Sequence, residues 1–293
     1  MQYIGRFAPS PSGPLHFGSL VTALGSYLQA KASNGKWLVR IEDIDPPREV
    51  KGASSLILKT LEAFNLYWDD QVLYQSNCSE RYRSVLASLI SEQKAYYCDC
   101  TRQRIHSLKN NIYDGFCRER HLALNNVAIR LKQNHPIFSF DDKIRGQQSI
   151  DHINALEDFI IHRKDGLFAY NLVVVLDDNY QGITEIVRGA DLLPVTAKQI
   201  SLYQLFNFTI PNYCHLPLAL DSHGNKLSKQ NHASPIDIKK TKLLTVQALQ
   251  FLGQQIPENW QDATQKALLD WAISHWDINH IPKQDCMLTT NIR

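Results

Sequence analysis

Three groups of residues in this 293-residue chain have types and spacings suited to chemistry. The first is Arg6-Phe-Ala-Pro-Ser-Pro-Ser-Gly-Pro-Leu-His-Phe-Gly-Ser19, a turn rich in proline and glycine that ends where a helix can start. The first amides of a helix attract phosphate. His16 can donate to a phosphate oxygen, and Gly18, lacking a side chain, lets a nucleotide sit close to the backbone. The segment is neither G-x-G-x-x-G nor G-x-x-x-x-G-K-[ST], so a nicotinamide enzyme and a P-loop ATPase both lose support. The second group is Lys226-Leu-Ser-Lys-Gln230, preceded by Asp221-Ser-His-Gly-Asn225. Two ammonium groups, on Lys226 and Lys229, would stabilise charge moving onto pyrophosphate when ATP is cleaved between its α and β phosphates. The third group is Cys98-Asp-Cys100 with Tyr113-Asp-Gly-Phe-Cys117. Three thiolates can hold zinc, and the common partner for three cysteines is a histidine, here His106 or His121. Cys78, Cys214 and Cys286 read as inert thiols.

These residues must be positioned by the elements around them. Tyr3 to Phe7 reads as a strand, and the three prolines of the 8–14 loop forbid a helix there. Leu20, Leu24, Tyr27 and Leu28 then give a helical apolar face that runs to the stop signal Asn34-Gly35. Lys36 to Ile41 returns as a second strand, and a strand-helix-strand unit this short implies parallel pairing with a right-handed crossover. That unit is the opening of a doubly wound sheet. Val50 to Phe64 and Ser79 to Gln93 have helical spacing, while Leu172 to Leu176 reads as a buried parallel strand followed by Asp177-Asp178 and a further strand over Ile183 to Val187. The cysteine cluster and the strand-like run Val127 to Leu131 fall in an insertion, and beyond Pro235 the four-residue steps of Leu268, Ala272 and Trp276 are helical. Hydrophobic residues make up 44% and charged residues 20% of the chain, with a net charge of +2, so a globular body is expected and any nucleic-acid affinity needs a local patch. The longest apolar run is far short of a membrane crossing, and the start lacks a basic leader with a long apolar run, which places the protein in the cytoplasm with no membrane partner.

Together, His16-Phe-Gly-Ser19 and Lys226-Leu-Ser-Lys-Gln230 resemble, in order and separation, the HIGH and KMSKS signatures of the class I aminoacyl-tRNA synthetases. Arg6-Phe-Ala-Pro-Ser-Pro-Ser-Gly, Arg40-Ile-Glu-Asp-Ile-Asp-Pro-Pro-Arg48, Tyr170-Asn-Leu-Val-Val-Val-Leu-Asp-Asp178 and Val187-Arg-Gly-Ala-Asp-Leu-Leu193 extend the resemblance to the glutamyl branch of that family. The fold this implies is α/β. A doubly wound Rossmann-like parallel sheet takes up residues 1–93 and 166–235, an inserted zinc-bearing α+β subdomain residues 94–165, and a short C-terminal helical region residues 236–293. The resemblance further implies that His16, Gly18, Lys226 and Lys229 are catalytic, with ATP held by His16, Gly18 and Lys229 and accompanied by Mg2+. It implies a glutamate pocket of Arg6, Phe7, Ala8, Pro9, Ser10, Glu42, Tyr170 and Arg188. In that pocket the two arginines take carboxylates, Glu42 meets the ammonium, and Ser10 and Tyr170 complete the hydrogen bonding; Arg forks discriminate a carboxylate from the amide of glutamine.

The Cys-x-Cys and Tyr-x-x-x-Cys pattern resembles the insertion of the branch that forms glutamyl-queuosine, which implies structural Zn2+ held by Cys98, Cys100, Cys117 and the phenol of Tyr113. The 64 residues after Lys229 are too few for a separate anticodon-reading domain, which points the same way. The expected reaction is tRNA-independent activation of L-glutamate with ATP, then transfer of glutamate to the queuosine base at the wobble position of aspartate tRNA, by a monomer. The alternatives are a truncated synthetase charging glutamate tRNA, a nucleotidyltransferase sharing the sheet, and a non-catalytic zinc-bearing RNA-binding protein. Gln230, where the signature ends in serine, leaves room for the last of these.

Overall fold

The computed structural model describes residues 2–220, 224 and 234–287. Strands β1 (Ile4–Phe7) and β2 (Lys36–Ile41) pair in parallel, with Ile4 opposite Lys36 and Phe7 opposite Val39, and helix α1 (Phe17–Ala32) connects them. The apolar face of α1 is buried through Leu20, Val21, Leu24 and Leu28. Its return to the sheet is sharp: a Cβ on Gly35 would lie 2.5 Å from the Tyr3 carbonyl oxygen, so only glycine fits there. A short β3 (Leu73–Tyr74) extends the sheet beyond β2.

On the other side of β1 lies β9 (Glu185–Gly189), joined where the Thr184 amide donates to the Ile4 carbonyl at 2.9 Å. Next comes β10 (Asn212–Leu216), parallel to β9 with Asn212 opposite Glu185. The edge is a hairpin of β6 (Ser139–Asp142), parallel to β10, and β7 (Gly146–Ser149), antiparallel to β6. Among the described residues the chain is thus a mixed α/β structure around a mainly parallel sheet, and β1 has one half of that sheet on each side of it.

A second sheet, antiparallel, orders β4 (Ala95–Cys98), β5 (Ala128–Leu131) and β8 (Ile160–His162), and it carries the short helices α4 (Arg102–His106) and α5 (His152–Ala155) in its connections. The expected insertion of residues 94–165 is therefore divided. The strands β4, β5 and β8 stand apart, whereas β6 and β7 join the main sheet.

The largest departure from expectation is at residues 172–176, which form no strand. They lie within helix α6 (Tyr170–Tyr180), where Leu172, Val173, Val174, Val175, Leu176, Asp177 and Asp178 are all buried. A helix enclosed on every side shows no polar face, so its apolar run has the same texture as an inner strand. It packs with α3 (Ser79–Ser91) and α7 (Thr196–Leu205) in a core that includes Tyr82, Leu86, Ile129, Phe159, Leu202 and Tyr203. The strand expected over 183–187 starts two residues later, as β9. Helix α2 (Ala53–Ala63) lies within the expected 50–64 span.

After residue 233, α8 (Thr241–Phe251) and α9 (Gln265–Ser274) bury Leu244, Leu249, Leu268 and Ala272 against the same core as Leu20, Leu24 and Leu28 of α1. Trp276 lies just past α9, where its indole donates to Gln29 Oε1 at 2.7 Å. This region also holds a strand that helical spacing did not foresee, β12 (Cys286–Met287), parallel to β11 (Ala219–Leu220). No helix among the described residues is long and apolar enough to cross a membrane.

Candidate active site

A cavity of about 480 Å3 opens at the carboxyl ends of β1, β2 and β9. The strand order diverges there, to β2 on one side of β1 and to β9 on the other, and such a switch leaves a crevice in an open parallel sheet. Its lining includes Arg6, Phe7, Ala8, Pro9, Ser10, His16, Gly18, Glu42, Tyr170 and Arg188. The structure therefore brings into one cavity every residue that the sequence assigned to glutamate, together with the His16 and Gly18 of the nucleotide motif. Lys226 and Lys229 lie outside the described residues. The 8–14 loop is held over the sheet by backbone bonds, the Glu42 amide to the Pro9 carbonyl at 3.0 Å and the Val50 amide to the Pro11 carbonyl at 2.9 Å.

One wall is a buried charge cluster. Asp178, 1% exposed, accepts from Arg6 Nε at 3.1 Å, Arg6 Nη2 at 3.3 Å and Arg40 Nη1 at 2.8 Å. Arg40 Nη2 reaches Glu42 Oε1 at 3.4 Å. Burial alone would raise the Asp178 carboxyl, but the two guanidiniums outweigh it and hold the group below the ordinary carboxylate range. For Glu42 the balance reverses: burial raises its carboxyl above the ordinary value although Arg40 and Arg6 pull it down. Burial, with the nearby Glu42 carboxylate, pushes the Tyr170 phenol up to about 12, so it is a neutral donor at physiological pH. Asp177 points elsewhere, bonded by the Tyr82 hydroxyl at 2.6 Å, Gln75 Nε2 at 2.8 Å and Arg81 Nη1 at 2.9 Å.

The lining also carries Arg188, 3% exposed. Its Nε donates to His215 Nε2 at 3.0 Å and its Nη2 to Thr196 Oγ1 at 2.8 Å. Its Nη1 is buried and has no hydrogen-bond partner among the described residues. A buried, unpaired N–H on a guanidinium costs free energy until an acceptor arrives, and a carboxylate completes it best. His16 caps α1: its Nδ1 accepts from the Ser19 amide at 3.4 Å, which leaves the proton of the neutral ring on Nε2, the donor pattern a phosphate oxygen needs.

Away from this cavity, the sulfurs of Cys98, Cys100 and Cys117 lie within 4.8 Å of one another, and Cys100 Sγ and Cys117 Sγ are 3.5 Å apart. Tetrahedral zinc with bonds near 2.3 Å sets its sulfurs about 3.8 Å apart, so the cluster has the size of such a site. Neither His106 nor His121 belongs to that group. Tyr113 does pack with it, buried beside Tyr96, and its hydroxyl accepts from the Cys117 amide at 2.7 Å. Burial raises the Cys98 thiol, but the Arg130 guanidinium, with its Nε 3.3 Å from Cys98 Sγ, together with the Cys100 amide and the Tyr113 hydroxyl outweighs burial and draws the thiol below its ordinary value, toward the thiolate a metal requires.

Reasoning from the sequence passed over Asp178 as a site residue because the 172–176 run read as a strand. On a helix, Tyr170 and Asp178 are about two turns apart on one face, and that periodicity was the missed signal. Asp142 and His215 gave no signal, since only the pairing of β6, β9 and β10 brings His215 to Arg188 and Asp142 to His215, while Thr196, at the start of α7, reaches Arg188 across the turn after β9.

Residues 4–255 match the family described as tRNA synthetases class I (E and Q), catalytic domain. The chain is similar to the glutamyl-Q tRNA(Asp) synthetase of Photorhabdus laumondii, at 59% identity over 96% of this chain and 89% of that protein. It is also similar to the glutamyl-Q tRNA(Asp) synthetase of Escherichia coli K12, at 55% identity over 99% of this chain and 94% of that protein. Among solved structures, a glutamate tRNA ligase from Elizabethkingia meningosepticum, crystallised in complex with its amino acid, shares the fold with a TM-score of 0.81 at 24% identity, covering 99% of this chain and 67% of that one.

Proposed function

The chain belongs to the class I tRNA synthetases of the glutamate and glutamine branch, and within them to the glutamyl-Q tRNA(Asp) synthetases; from that premise we propose that it activates glutamate with ATP, without tRNA, and passes it to the queuosine base at the wobble position of aspartate tRNA. The observation that carries the glutamate reading is the buried Arg188, whose Nη1 has no partner among the described residues, in a cavity that also presents Arg6 and Glu42. Two guanidiniums take the carboxylate charge of the substrate, Glu42 accepts from its ammonium, and Ser10 and Tyr170 hydrogen bond to it. Phe7, Ala8 and Pro9 line the approach.

The α-carboxylate of glutamate is already ionised near neutral pH, so it attacks the α-phosphorus of ATP without a general base. Positioning is then the main task. His16, the amides at the start of α1 beside Gly18, and Lys226 and Lys229 stabilise charge as the bond from the α-phosphorus to pyrophosphate breaks. Magnesium, arriving with ATP, supplies further neutralisation of the phosphates. Glutamyl-adenylate results. A hydroxyl of the queuosine ring next attacks the activated carbonyl, an ester forms, and AMP leaves. We read the sheet as a doubly wound, Rossmann-like platform for this chemistry, supported by the position of β1 between β2 and β9. We place the reaction in the cytoplasm, where ATP and tRNA are found, and assign it to a monomer.

The donor set of the cysteine cluster supports a structural zinc held by Cys98, Cys100, Cys117 and Tyr113, at a distance from the reacting groups. The test of the main reading is exchange of labelled pyrophosphate into ATP. Exchange that requires glutamate, proceeds without tRNA and needs much more glutamate after Arg188→Ala is the expected result. No glutamate-dependent exchange in the unaltered protein would overturn the reading.

A further inference from the structure

The two buried arginines that line the cavity are held in opposite ways. Arg6 is paired directly with the Asp178 carboxylate, which it shares with Arg40. Among the described residues Arg188 donates only to neutral acceptors, Thr196 Oγ1 at 2.8 Å and His215 Nε2 at 3.0 Å, although a carboxylate stands one residue further back. That carboxylate is Asp142, whose Oδ2 lies 2.6 Å from His215 Nδ1. Its other oxygen accepts from the amides of Ile144 at 3.0 Å and Arg145 at 2.8 Å. An acceptor ringed by donors fixes the imidazole: Nδ1 carries the proton toward Asp142, and Nε2 presents a lone pair to Arg188. A second proton on the ring would set N–H against N–H at 3.0 Å.

We propose that Asp142 and His215 are positioning residues for substrate selection, holding Arg188 by a neutral acceptor so that its charge stays available for the side-chain carboxylate of the amino acid. This deepens the glutamate reading above and rests on it. Had a carboxylate met Arg188 directly, the guanidinium would be neutralised before any ligand bound, and a carboxamide would suit the site about as well as a carboxylate. With only neutral partners, a neutral ligand leaves a buried charge uncompensated, and an anionic one does not. The groups that face His215 agree: burial, with Arg188 and Arg145 nearby, depresses the imidazole even against Asp142, so it stays neutral. The ring is held flat against Tyr213, with planes 5° apart.

Asparagine at position 142 separates the carboxylate from its shape. The Ile144 and Arg145 amides would keep the carboxamide oxygen, its NH2 would face Nδ1, and the ring proton would move to Nε2, against Arg188. The experiment measures glutamate-dependent pyrophosphate exchange for the full-length protein and for Asp142→Asn, His215→Ala and His215→Gln, with nitrogen NMR of histidine-labelled protein to read the tautomer. The wild-type resonance of His215, assigned by its loss in His215→Gln, should show protonated Nδ1 and bare Nε2. In Asp142→Asn that pattern should reverse. Asp142→Asn and His215→Ala should raise the KM for glutamate about 10- to 100-fold, the range for a lost hydrogen bond to a charged group, with KM for ATP unchanged and kcat changed less. His215→Gln, which restores a neutral acceptor, should recover most of the loss.

A wild-type ring protonated at Nε2 would overturn the proposal, as would a folded Asp142→Asn with KM for glutamate within about twofold of wild type. Should Asp142→Asn fail to fold, the wild-type tautomer and the recovery by His215→Gln decide. Absence of exchange in the wild type would count against the glutamate reading alone, because the tautomer is measured on the ligand-free protein.

Discussion

Replacing Asp178 with Asn is expected to destabilise the protein and to disable the glutamate wall of the cavity together. Arg6, Arg40, Glu42 and Asp178 form a buried set of two positive and two negative groups, none more than 9% exposed. The substitution leaves a net positive charge there, because a neutral oxygen would stand where Oδ1 accepts from Arg6 Nε at 3.1 Å and Arg40 Nη1 at 2.8 Å, and the amide NH2 would face Arg6 Nη2, which donates to Oδ2 at 3.3 Å. Removing one partner of a buried ion pair costs about 3–5 kcal/mol. At roughly 2–4 °C per kcal/mol, the melting temperature should fall by about 6–20 °C. The pH dependence gives the sign. The folded pKa of Asp178 lies below its unfolded value, so its stabilisation is present at neutral pH and is lost as pH falls through the folded pKa. Wild type and variant should therefore converge in acid. Calorimetric melts over a pH series, with glutamate-dependent exchange at neutral pH, measure both effects. A variant that melts within about 2 °C of wild type at neutral pH would refute the reasoning, since an uncompensated buried guanidinium cannot be that cheap.

Two further expectations concern parts of the molecule away from the cavity. Purified protein should carry one zinc per chain by elemental analysis, and Tyr113→Phe, which removes the phenol oxygen but keeps the ring, should release the metal to a chelator faster; equal release rates would exclude the phenol as a ligand. Leu172→Ala, deep in α6, should cost about 2–5 kcal/mol in denaturant unfolding, and a loss below about 1 kcal/mol would contradict the packing of this helix in the second core.

The cavity was legible in the sequence wherever a short segment carries its own geometry. Arg6 to Gly18 spans a strand end, a proline loop and a helix start, so its residues had to converge on one spot, and Glu42 follows at the end of the next strand. Cys98, Cys100 and Cys117 were equally clear, because few contexts explain three thiols at that spacing. Residues 172–176 misled because β-branched residues suit strands, whereas here tertiary enclosure on all sides stabilises a helix that propensity alone does not favour. The hairpin of β6 and β7 was assigned to the insertion by position, but long-range pairing with β10 decides its place. The support of Arg188 was invisible for the same reason: Asp142 and His215 are far apart in the chain, and only strand register brings their side chains together.

The most direct measurement offers labelled glutamate and ATP with three acceptors in parallel: aspartate tRNA bearing queuosine, aspartate tRNA lacking it, and glutamate tRNA. Label is expected on the first alone, released as glutamyl-queuosine after nuclease digestion. Label on glutamate tRNA at its terminal ribose, with none on the queuosine-bearing sample, would contradict the function assigned here.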